Sequence, residues 1–161
     1  MTTDAKLSTR TDPTLKVDYL ADTNIILRLA EPAHPMHGAA LNALKKLFVD
    51  GHNLCLTPQN LIEFWNVATR PANKNGLGWT TAQTDAEVAG LEAVFTMLPD
   101  NAAIYWEWRT LVTTHLVSGK QVHDTRLAAA MNVHQITRLL TFNTNDFKRF
   151  SNIIPVNPID V

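Results

Sequence analysis

Short apolar runs recur along this chain, and between them lie stretches whose apolar residues return at helical spacing. The runs are Val17 to Ala21, Leu54-Cys55-Leu56-Thr57, Ala93 to Leu98, Arg138-Leu139-Leu140-Thr141 and Ile153-Ile154-Pro155-Val156. The last carries a proline, which a sheet tolerates at its edge. Between the runs, Ile25 to Ala30, then Ala39, Leu41, Ala43, Leu44, Leu47 and Phe48, then Leu61, Phe64, Trp65 and Ala68, mark apolar faces of helices. Further helices are expected from Thr80 or Thr81 to about Glu92, through Ile104, Trp108, Leu111, Val112 and Leu116, and from Asp124 through Leu127 to Met131. Strands alternating with helices bury a parallel sheet on both faces. The expected fold is α/β: three α/β/α layers around a mostly parallel central sheet of four to five strands. Right-handed crossovers then bring the strand ends to one side.

Composition narrows the class. The chain has 161 residues, and 45% are hydrophobic, enough for one ordinary domain with a real core. The expected division is a flexible polar arm over residues 1–16 and a single domain over 17–161. Fourteen Lys and Arg face fifteen Asp and Glu, for a formal charge of -1. No global positive field advertises nucleic-acid binding, so such a role must rest on a local patch. The only cysteine, Cys55, excludes an intramolecular disulfide and reads as a buried thiol. No run reaches the roughly 18 apolar residues of a membrane span, and the N-terminus lacks the apolar core of a secretory signal. The expected location is cytoplasmic, away from membranes.

The chemistry-bearing residues stand where an open α/β sheet places its ligands, beyond the carboxyl ends of strands. Asp22 follows the first run at once, with Thr23 and Asn24 after it. Glu63 lies in the first two turns after the second run, and Asp124 opens the helix before the fourth. Asn143 and Asp146 follow Thr141 at the end of that fourth run. Each has a structural alternative. Asp22 and Asp124 are also good helix N-caps, Glu63 fits a solvated helix face, and Asn143 and Asp146 fit a turn. Recurrence at corresponding ends of successive βα units favours a shared site. A cluster of oxygen donors suits Mg²⁺ or Mn²⁺, which can activate water against a phosphodiester. If Asp22 is a ligand, its side chain is expected to turn toward Glu63 and Asp124, leaving Thr23 or Asn24 to serve the helix start.

Four motifs together resemble the PIN-domain family, and within it the VapC-like toxin ribonucleases. They are Leu20-Ala21-Asp22-Thr23-Asn24, Thr57-Pro58-Gln59-Asn60-Leu61-Ile62-Glu63-Phe64, His123-Asp124-Thr125-Arg126-Leu127-Ala128-Ala129-Ala130, and Leu140-Thr141-Phe142-Asn143-Thr144-Asn145-Asp146-Phe147. The resemblance covers about Val17 to Val156. Arg70-Pro71 followed by Asn75-Gly76-Leu77-Gly78 resembles a subgroup of the family. The resemblance implies a metal-dependent endoribonuclease acting on single-stranded or structured RNA, the toxin of a toxin–antitoxin pair. It implies a cognate antitoxin protein as partner and a homodimer. Asp22, Glu63 and Asp124 match the family's three main acids, which hold Mg²⁺ or Mn²⁺. Thr23, Asn24 and Thr141 match its supporting polar residues. Asn143 is a departure, because the family often has Asp there. An amide oxygen can ligate Mg²⁺ but brings no charge, and Asp146 is the candidate to supply the missing carboxylate.

Other residues rank lower. Arg126, Lys120 and Arg28 are the candidate substrate contacts among scattered cations. His123 reads as surface or structural, because neighbours on a helix face different ways. Trp106 and Trp108 read as core, and Trp79 as a candidate for RNA stacking or a dimer contact. No Walker A loop, nucleophile elbow or zinc-type Cys/His spacing is present. A phosphatase with Asp22 as nucleophile would need a second Asp where Asn24 stands. A catalytically weak RNA- or partner-binding module is the alternative that Asn143 motivates.

Overall fold

The computed structural model describes residues 15–161, so the expected arm over 1–16 falls, save Leu15 and Lys16, outside the described residues. Five strands run in order: β1 (Asp18–Ala21), β2 (Asn53–Leu56), β3 (Thr96–Met97), β4 (Arg138–Leu140) and β5 (Ile154–Val156). Six α-helices connect them: α1 (Thr23–Leu29) and α2 (His37–Val49) follow β1, α3 (Pro58–Thr69) and α4 (Thr81–Val94) follow β2, and α5 (Ala102–Thr114) and α6 (Gln121–Val133) follow β3. The sheet order is β3-β2-β1-β4-β5, and every pairing is parallel. The sheet is therefore wholly parallel, with five strands.

Period-two alternation divides the core between two layers. Tyr19, Ala21, Leu54, Leu56 and Leu140 face one way and pack with residues of α1 to α4, including Ile25, Ile26, Leu44, Phe64 and Leu91. Leu20, Cys55 and Leu139 face the other way, onto Leu127, Ala128 and Met131 of α6. Helix α5 lies behind, closing on Ala129 and Ala130 through Ile104. Handedness accounts for the split. The chain steps from β1 to β2 to β3 in one direction, then returns past β1 to β4, so right-handed crossovers put α1–α4 and α5–α6 on opposite faces.

Details at the margins differ from expectation. The expected strand over Ala93 to Leu98 shrinks to Thr96–Met97, because α4 continues to Val94. Pro155 sits in edge strand β5, where its missing N–H leaves no ladder bond unmade. Cys55 is buried, and burial pushes its thiol up to about 12, which keeps it protonated and inert. Trp106 is 61% exposed, against the core role expected of it. Trp108 is half-buried, with its indole N–H on the Val122 carbonyl at 3.0 Å. Trp79 packs its ring edge on Phe64 at the margin of the core, centroids 6.2 Å apart. No helix among the described residues is long and apolar enough to cross a membrane.

Candidate active site

The sheet reverses its direction of growth between β1 and β4, and such a switch point opens a crevice at the carboxyl ends of the strands. Asp22 leaves β1 there and Thr141 leaves β4. The backbone N–H of Asp22 bonds the Leu140 carbonyl at 2.9 Å, extending the ladder one residue past the strand. The side chains then meet: the Thr141 hydroxyl donates to Asp22 Oδ2 at 2.7 Å. The same hydroxyl accepts from the Asn24 amide at 3.1 Å and from the Asn143 backbone N–H at 3.0 Å. Asn24 also donates to Asp22 Oδ2 at 3.1 Å, and its carbonyl accepts from the Phe142 N–H at 3.3 Å. Residues 118 positions apart in sequence are thereby locked across the switch point.

Asp22 is also the N-cap of α1. Its Oδ1 accepts the Thr23 N–H at 2.7 Å, so the helix start is served by Asp22 itself and not by Thr23 or Asn24. Cap and site member do not exclude one another, because each carboxylate oxygen has two lone pairs. Oδ1 spends one on the cap and keeps one.

Glu63 arrives from α3. Thr57 caps this helix, with Asn60 completing a reciprocal box, and Pro58 occupies the first turn, where its missing N–H costs nothing. The box places Asn60 so that its amide donates to Thr23 Oγ1 at 3.2 Å, and that hydroxyl donates to Glu63 Oε2 at 2.7 Å. Gln59, one turn before Glu63, donates to Glu63 Oε1 at 2.9 Å. Gln59 and Asn60, read from the sequence only as a helix start, are buried polar residues tied to the site. The signal was there in the i, i+4 spacing of Gln59 and Glu63.

Asp124 lies in the first turn of α6, three residues after its first residue, Gln121. It is not the N-cap; that position is Lys120, which makes no side-chain cap bond. Among the described residues the Asp124 carboxylate accepts no protein hydrogen bond, leaving both its oxygens open. Asp146 lies in the short 3₁₀ turn Thr144–Phe147 after β4. Asn143 is exposed, and the tie that places it is its backbone N–H on Thr141.

Burial and neighbouring charges act on two of these acids. Burial pushes the Asp22 carboxyl up to about 6, the Asp124 and Glu63 charges adding to the rise and the Thr141 and Thr23 bonds opposing it. Burial likewise raises Asp124, with Asp146 and Glu63 adding, while His123 and Lys120 oppose. Asp22 thus feels the charges of Asp124 and Glu63, and Asp124 those of Asp146 and Glu63. Among the described residues no three His, Cys, Asp or Glu side chains are grouped so that they could hold a metal ion between them. The donor set nonetheless suits a hard divalent cation: all donors are oxygen, and Mg²⁺ commonly takes one or two carboxylates and keeps waters.

The cations divide. Arg126 pairs with Asp100 at 3.1 Å and donates to Gln59 Oε1 at 3.1 Å, which holds it two residues from Asp124. Lys120 is exposed at the start of α6. Arg28 is paired with Glu31 at 2.8 Å in the last turn of α1, about 7.5 Å along the helix from its start, and among the described residues no hydrogen bond or ion pair brings it to Asp22, Glu63, Asp124 or Asp146.

Comparison with known proteins places this fold. A comparison with curated proteins found no match. Solved structures match in fold. VapBC-1 from nontypeable Haemophilus influenzae superposes with a TM-score of 0.66 at 17% identity, over 88% of this chain and 98% of that one. VapBC2 from Rickettsia felis, bound to a DNA fragment from its promoter, gives 0.64 at 18% identity over 88% and 98%. VapC20 from Mycobacterium tuberculosis, described as a sarcin-ricin loop cleaving toxin, gives 0.60 at 18% over 82% and 95%. The family model for the PIN domain matches residues 19–153, from within β1 to just before β5, and by that match the chain belongs to the PIN domain family.

Proposed function

We propose that this protein is a divalent-metal-dependent endoribonuclease and the toxin of a toxin–antitoxin pair. One observation carries the enzymatic part: burial raises Asp22, at the switch point of the sheet, to about 6 and also raises Asp124, and both feel the charge of Glu63. A bound cation would offset the cost of charging these buried carboxylates, and a divalent ion there could activate water against a phosphodiester. The toxin role is supported by the VapBC relatives, which share the fold. RNA is supported as substrate by VapC20.

In this reading Asp22, Glu63 and Asp124 hold Mg²⁺ or Mn²⁺, with Asp146 contributing directly or through water. The bound ion would supply an activated water and offset charge on the phosphodiester. Thr141, Asn24 and Thr23 orient the carboxylates through bonds of 2.7–3.1 Å. Lys120 and Arg126 hold substrate phosphate beside Asp124. Arg28 would have to leave Glu31 to join them. An antitoxin protein is the proposed partner, a homodimer the proposed assembly and the cytoplasm the proposed location.

The test is RNA cleavage with Mg²⁺ or Mn²⁺, comparing the wild type with Asp22→Asn and Asp124→Asn. Cleavage by the wild type alone supports the assignment, and equal activity in all three sinks it. A folded wild type that neither cleaves RNA nor binds divalent metal at millimolar concentration would favour the binding module that Asn143 suggests.

A further inference from the structure

Gln59 is 9% exposed, and both ends of its side-chain amide are engaged. Nε2 donates to Glu63 Oε1 at 2.9 Å and to the His123 carbonyl at 2.8 Å. Oε1 accepts from Arg126 Nη1 at 3.1 Å. The amide's orientation follows from its partners, two acceptors on one end and a donor on the other. One side chain thereby joins α3 to the first turns of α6, on either side of Asp124.

Glu63 has one donor on each oxygen, Thr23 Oγ1 on Oε2 and Gln59 on Oε1. Two donors from different elements fix the carboxylate plane and leave one lone pair on each oxygen. Arg126 is similarly held from two sides, by Gln59 and by Asp100. We propose that Gln59 is a positioning residue for the candidate metal centre, setting the Glu63 carboxylate with one end of its amide and the Arg126 guanidinium with the other. This rests on the metal-dependent reading above. Gln59 touches neither ion nor substrate. It acts by keeping Glu63 from turning away and by holding α6 with Asp124 at a fixed distance from α3. Partners of this kind behind a ligand commonly govern affinity for the ion.

The experiment is Mn²⁺ binding by calorimetry in a double-mutant cycle: wild type, Gln59→Met, Glu63→Gln and the double variant. Methionine keeps the length of the side chain and removes every hydrogen bond. Gln59→Asn, whose amide is one methylene too short to reach both partners, replaces it should Gln59→Met fail to fold by circular dichroism. The expected result is an affinity weakened about 10- to 100-fold by Gln59→Met in the wild type, and by less than about twofold once Glu63 is already Gln. Equal weakening in both backgrounds would mean general support of the fold and would overturn the proposal. Unchanged binding in Gln59→Met, with binding lost in Asp22→Asn, overturns it too, while leaving the metal reading intact. A wild type that binds no Mn²⁺ overturns the metal reading and this inference with it.

Discussion

Replacing Asp22 with Asn should stabilise the metal-free protein near neutral pH, although it removes a residue of the proposed centre. Asp22 is 8% exposed, and its carboxyl is raised from 3.8 to about 6, first by burial. The folded chain therefore holds that proton more tightly than the unfolded chain. The resulting stabilisation is complete below about pH 4 and is lost as pH rises through about 6. A shift of about two units corresponds to roughly 3 kcal/mol. Asn keeps the cap, because its Oδ1 can accept the Thr23 N–H, but its amide nitrogen cannot accept from Thr141 and Asn24. That loss is worth roughly 1–2 kcal/mol. The balance favours the variant by roughly 1–2 kcal/mol at neutral pH, or about 2–8 °C in melting temperature for a chain of this size.

The assay is thermal or urea unfolding in a chelator, at about pH 7.5 and about pH 4.5, either side of the titration. The variant should be the more stable near neutrality and should lose or reverse that advantage in acid, where the wild type has taken up its proton. Saturating Mn²⁺ should then raise the wild type far more than the variant, since only an ion that binds the folded state stabilises it. A variant less stable at both pH values, or ahead by the same margin at both, would refute the argument that burial strains this carboxylate.

Three further outcomes are expected. Thr141 is fully buried and its hydroxyl serves Asp22, Asn24 and Asn143, so Thr141→Val should cost about 1–3 kcal/mol in urea unfolding and slow RNA cleavage. Gly76→Ala should destabilise by about 1–3 kcal/mol or more, because a Cβ there would lie 2.0 Å from the Arg70 carbonyl oxygen; an unchanged melting temperature would argue against this tight turn. Asn143→Asp restores the acid common in the family, and calorimetry should show Mn²⁺ binding tightened by up to about tenfold, as added ligand charge does. No change in affinity would place residue 143 outside the site.

The sequence by itself determined the layer architecture and which elements carry acids. Alternating apolar runs and helical stretches from Tyr19 to Val156 require a sheet covered on both faces, and local periodicity is enough to show it. It also determined that Asp22, Glu63, Asp124 and Asp146 stand near strand ends, because that follows from counting along each unit. Three things needed the tertiary structure. The double role of Asp22 depends on Oδ1 meeting its own helix and Oδ2 meeting Thr141, a contact between residues 119 positions apart. The place of Gln59 depends on the first turns of α3 and α6, helices on opposite faces of the sheet, coming together, so that an ordinary helix-start residue meets His123 and Arg126. The separation of Arg28 from the acids depends on how far α1 runs and on Glu31 lying beside its end. Periodicity reports which face of an element is apolar. Which polar groups meet across elements is decided only when the strands take their order and β1 and β4 come to lie side by side.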